Sequence, residues 1–97
     1  MTPHFDRIRN QILSPLLERK QQLAVLSTIY RDTMPPDESK MNSELILWIN
    51  SAIKFLQEIN VDTFEDWSKS MVSYNKMLDE IRMIQLKSEI FNPVNSN

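Results

Sequence analysis

The residue types on which most enzymes depend are scarce in this sequence. His4 is the only histidine, and there is no cysteine. A nucleophile–histidine–carboxylate triad would therefore rest on one residue beside the N-terminus, and no thiolate is present to hold a metal ion. A lone histidine in such a position is far more often solvated or hydrogen-bonded than catalytic. We therefore expect His4 to have no catalytic role.

The acidic side chains do not follow a metal-binding pattern. No Glu-x-x-His motif of the di-metal helical bundles is present, and no pair of carboxylates projects from an apolar helix stripe. Asp37-Glu38-Ser39 lacks both the spacing and the glycine of a calcium-binding EF-hand loop. Helix capping and solubility explain the acids at Asp37, Glu38, Glu44, Asp62, Glu65, Asp66, Asp79 and Glu80. We therefore expect no metal, no other cofactor and no small-molecule substrate.

Glycine is absent from the 97 residues. Phosphate-binding loops and dinucleotide fingerprints need glycine so that the backbone can approach phosphate, so both are excluded. An all-β fold is excluded as well, since its tight turns need residues that adopt positive φ.

Basic residues are concentrated at the start of the chain. Residues 1–31 hold five Lys or Arg and two acids, whereas residues 32–66 hold two lysines and eight acids. Arg7, Arg9, Arg19 and Lys20 form a weak basic patch that could touch phosphate. However, no aromatic residue is interleaved for base stacking, and the net charge of −2 argues against a nucleic-acid coat protein. A solvated face that complements the acidic middle segment is the favoured interpretation, so no nucleic-acid partner is expected.

Hydrophobic periodicity predicts a first helix from about Pro3 to Arg31. Its apolar face recurs at 100° per residue and comprises Phe5, Ile8, Ile12, Leu16, Leu23, Leu26 and Tyr30. Pro15 interrupts this pattern. Either the helix continues with a kink, or Ser14 caps a second helix that starts at Pro15. The apolar face keeps its phase across Pro15, which favours the kink.

Two further helices are predicted after short breaks at 32–36 and 60–62. The second runs from about Asp37 to Ile59 and has an apolar arc of half its circumference, so it should lie between two neighbours. Asn60 is its predicted stop, because asparagine tolerates left-handed φ. The third opens at Asp62 or Thr63 and has an apolar seam with the 3-4 spacing of helical bundles: Phe64, Trp67, Met71, Tyr74, Leu78 and Ile81.

These elements predict an all-α fold. Short connections force neighbouring helices to run antiparallel, which gives a slender up-down-up three-helix bundle with its first helix kinked or split at Pro15. Residues 1–92 form one predicted domain. Residues 93–97 form a predicted disordered tail, because Asn92-Pro93 ends the helix and the last residues have nothing to bury.

Some apolar side chains exceed what such a core can use. Leu47 lies at the centre of the polar face of the second helix, and Ile46 lies at the far edge of its apolar arc. Met83, Leu86 and Ile90 make a second stripe on the third helix, which either the first helix covers or a partner covers. These five residues are the predicted partner interface.

The sequence therefore favours a non-enzymatic helical protein–protein interaction module: an adaptor, small regulator or complex subunit that binds a protein partner or forms a homodimer. The alternative is a nucleic-acid-associated regulator that uses the basic first helix. A third possibility is a small enzyme that uses only carboxylates, lysine or tyrosine. The sequence has no membrane-length apolar run and no signal-peptide pattern, so we expect no membrane partner and an intracellular, cytoplasmic location.

Overall fold

A computed structural model of the chain describes the backbone of residues 2–91 and the side chains of residues 2–87. This part of the chain is all-helical and has no strand. Its three helices are α1 (Pro3–Ile29), α2 (Pro36–Glu58) and α3 (Phe64–Phe91).

The principal extents are 47 × 24 × 22 Å, and the radius of gyration is 15.8 Å. A compact chain of this length would have a radius of gyration of about 12.5 Å, so the molecule is elongated. The predicted tail, residues 93–97, lies outside the described residues.

The middle helix organises the molecule. α2 packs along both α1 and α3, whereas α1 and α3 touch each other far less. Ile49 and Leu56 are fully buried between the neighbours of α2. The start of α1 and the start of α3 both pack against the end of α2, through Phe5, Trp67 and Ile59. The first turns of α1 and α3 therefore both lie beside the end of α2.

The helix ends follow from local chemistry. Pro3 and Pro36 each stand in the first turn of a helix, where the missing N–H costs nothing. Thr63 caps α3, because its Oγ1 accepts a hydrogen bond from the Asp66 N–H at 3.1 Å. Glu65 and Lys69 form the i,i+4 ion pair typical of a solvated face, with an N–O distance of 3.3 Å.

Helix α1 is continuous through Pro15. The alternative in which Ser14 caps a separate helix is therefore not what the structure shows, and the kink stays a prediction. The prediction for Asn60 was wrong in its mechanism. α2 ends at Glu58, Ile59 is extended and buried, and no described residue has positive φ. An extended residue that packs into the core ends the helix, with no left-handed residue.

The core contains most of the predicted apolar faces, with three exceptions. Phe64, predicted as the first residue of the α3 seam, is the first residue of α3 and is 76 % exposed. Leu26 and Tyr30, placed on the core face of α1, are 45 % and 50 % exposed. These two errors in α1 concern the candidate functional site.

Candidate interaction surfaces

The last two turns of α1 carry four adjacent apolar side chains that are open to solvent. Val25, Leu26, Ile29 and Tyr30 are 49 %, 45 %, 63 % and 50 % exposed. They are joined by i,i+3 and i,i+4 spacings, which place them side by side on a helix surface. We call these four residues the α1 patch. Sequence reasoning missed Val25 and Ile29, because they lie to one side of the apolar stripe that runs through Leu26 and Tyr30.

The α1 patch is exposed because the contact between α1 and α3 does not extend along their full length. At the start of both helices the Phe5 and Trp67 rings stack, with centroids 5.4 Å apart and an interplanar angle of 22°. Ile8 packs against the same cluster. About five helical turns later the same faces present Leu26 on α1 and Gln85 on α3. Leu26 does not pack against an aromatic ring; it lines a small cavity with Met41, Leu45 and Ile84 and stays 45 % exposed.

A small cavity lies beneath the α1 patch. Its volume is about 110 Å³, and all three helices line it, together with Met34 of the α1–α2 connection. Leu26 forms one wall and Ile84 another. Asn42 of α2 also lines it, and the Asn42 side-chain amide donates a hydrogen bond to the Ser27 hydroxyl of α1. This bond ties α1 to α2 beside the cavity.

Leu47 is exposed, as its helical position predicts, but it is isolated. Its side chain is 65 % exposed. Leu47 precedes the fully buried Leu56 by nine residues, which places the two side chains on opposite sides of α2, about 180° apart around the helix axis. Its neighbours at i±3 and i±4 are all polar: Ser43, Glu44, Asn50 and Ser51. Ile46 is partly buried. A single exposed leucine surrounded by polar residues is common on protein surfaces and gives weak support for an interface.

Met83 and Leu86 face solvent on the outer side of α3. They are 53 % and 52 % exposed, and Met83 lies about 180° from the buried Tyr74. The sequence left open whether α1 covers this stripe, and the structure leaves both side chains uncovered. The side chain of Ile90, the third predicted member, lies outside the described residues. Whether this stripe binds a partner stays a prediction.

The basic residues of α1 do not gather on one face. Arg7 and Arg9 differ by about 200° around the helix. Arg9 is partly buried and forms an ion pair with Asp6, and its Nε atom is buried without a hydrogen-bond partner. Lys20 is exposed, about three turns further along the helix from Arg9. The predicted patch of Arg7, Arg9, Arg19 and Lys20 is therefore not a continuous phosphate-binding surface.

Tyr74 is the ionisable side chain with a perturbed pKa. It is buried in the α3 seam, and this burial raises the pKa of its hydroxyl above the ordinary value of 10.0, while the positive charge of Arg82 opposes the rise. Tyr74 packs in the same hydrophobic cluster as Leu45 and Ile81. Within the described residues, no group of three His, Asp or Glu side chains could hold a metal ion.

In the part of the chain that the structure describes, no helix combines the length and the apolar character needed to cross a membrane. Comparisons with protein-family models, curated proteins and solved structures found no match to this chain.

Proposed function

We propose that this protein is a non-enzymatic helical interaction module that self-associates by packing apolar helix surface. The observation that carries the proposal is the α1 patch. Four contiguous apolar side chains remain about half exposed where the core is incompletely closed. Contiguous apolar surface of this kind marks interaction sites in soluble proteins, whereas scattered single residues do not.

The proposed architecture supports this role. We infer a slender up-down-up bundle in which α1 is kinked at Pro15. A slender bundle buries a smaller fraction of its surface than a compact domain, so a partner that covers apolar surface adds stability. Association by helix packing needs no cofactor and no prepositioned catalytic group.

Sedimentation velocity of the wild-type chain across a wide concentration series tests the proposal. We expect a shift from the monomer mass of 11.5 kDa toward twice that mass as the concentration rises. The shift should persist in high salt, because apolar packing is insensitive to screening. A chain that remains monomeric up to millimolar concentration would contradict the proposal of self-association.

A further inference from the structure

We infer that the α1 patch is the seam of an isologous homodimer, in which the patch of one copy packs against the same patch of a second copy. The inference rests on the proposed function and deepens it, because it names the partner of the α1 patch as the same patch of a second copy. It also moves the contact away from Leu47 and from the Met83–Leu86 stripe, which the sequence pointed to.

Charge distinguishes the α1 patch from the other two surfaces. A two-fold contact brings each residue near its own copy or a close neighbour, and like charges in such a contact are repulsive. The next residues on the exposed face of α1 are neutral, since Gln21 and Gln22 line the same shallow depression as Val25 and Leu26. Glu18, one turn further away, is the first charge in that lining. Glu38 of α2 lines depressions with Leu26 and with Tyr30, so both carboxylates stand at the edge of the patch and its four members are neutral.

The other two surfaces have charges next to their apolar residues. Glu44 is one turn from Leu47. Asp79 and Glu80 are one turn from Met83, and the same turn holds the Asp79–Arg82 ion pair. Self-pairing at either surface would bring like charges together or require them to lose water. The α1 patch has no such cost at its centre.

Area also favours the α1 patch. Its four side chains, each about half exposed, present roughly 400 Å² of accessible surface. A standard interface buries about 800 Å² on each partner, with an apolar centre and a polar rim. The patch supplies the centre, and Gln21, Gln22 and Thr33 are exposed beside it and supply the rim. Met83 and Leu86 together present about half as much apolar area as the patch.

Lysine substitutions at matched exposed positions test the assignment. Ile29→Lys places a charge in the proposed seam, and a cation at the C-terminal end of α1 also suits the helix dipole, so the monomer should remain folded. Val72→Lys and Leu86→Lys are the controls, because Val72 and Leu86 are 58 % and 52 % exposed on α3. Leu47→Lys tests the isolated leucine of α2. Helicity by circular dichroism is measured for every variant.

We expect Ile29→Lys to raise the dimer dissociation constant at least tenfold, and the three other variants to leave it within twofold of wild type. If Ile29→Lys reduces helicity, Val25→Lys takes its place and should weaken the dimer by a similar factor. A wild-type dimer that neither substitution weakens would overturn the assignment to the α1 patch, whereas self-association itself would stand. A wild-type chain that is monomeric throughout would overturn both.

Discussion

The Phe5–Trp67 stack predicts that two phenylalanines at the same end of the molecule respond very differently to the same substitution. Phe5 is 9 % exposed and packs between Trp67 and Ile59, whereas Phe64 is 76 % exposed at the first position of α3. Truncation of a buried phenylalanine to alanine costs about 3–5 kcal/mol through lost apolar burial and the cavity that remains. Phe5 lies near the end of α1, so we expect a cost near the lower limit, about 3–4 kcal/mol. Phe64→Ala should change the free energy of unfolding by no more than about 0.5 kcal/mol.

Urea unfolding followed by circular dichroism measures both variants. A domain of this size has a total stability of about 5–15 kcal/mol, so Phe5→Ala should remove a large part of it. In a thermal scan the same change corresponds to a drop in Tm of roughly 12–30 °C. The m-value should stay the same, which would show that the transition remains two-state. Equal effects of the two substitutions would refute the claim that α1 and α3 are joined through Phe5 and Trp67.

Three further predictions concern α1, the cap of α3 and the buried tyrosine. Pro15→Ala should stabilise the protein, because proline in a helix interior removes a backbone hydrogen bond. Ser14→Ala should be nearly neutral. A large loss of Tm in Pro15→Ala would contradict the continuous α1. Thr63→Ala should cost about 1 kcal/mol in urea unfolding because the Asp66 N–H loses its acceptor, and an unchanged unfolding midpoint would contradict the cap. Tyr74 has a raised pKa in the folded state, so its stabilising contribution is fully present below about pH 10 and is lost as the pH rises through the folded-state pKa. The stability difference between wild type and Tyr74→Phe should therefore change above pH 10, and a difference that stays constant with pH would contradict the raised pKa.

Helix content and helix order could be predicted from the sequence because local patterns determine them. The absence of glycine, the apolar periodicity and the capping residue Thr63 all depend on near neighbours in the chain. The central position of α2 could also be predicted, because an apolar arc of half a helix circumference needs two neighbours.

The location of the exposed surface could not be predicted in the same way. Leu26 and Ile8 have the same helical phase, so a periodicity argument places both in the core. Their environments differ because Ile8 packs with Phe5 and Trp67, whereas Leu26 borders a small cavity that Ile84 of α3 also lines. That difference depends on the alignment of two helices far apart in sequence. Phe64 was misplaced for a related reason, since the seam pattern does not show where α2 ends.

A nuclear magnetic resonance dilution series tests the central claim most directly. Backbone amide and methyl shifts of the wild-type chain would be followed from millimolar to micromolar concentration. The proposed homodimer predicts concentration-dependent shifts at Val25, Leu26, Ile29 and Tyr30, with little change at Leu47, Val72, Met83 and Leu86. Shifts that do not change with concentration, or that change at Leu47 or along the Met83–Leu86 stripe and not in the α1 patch, would contradict the account.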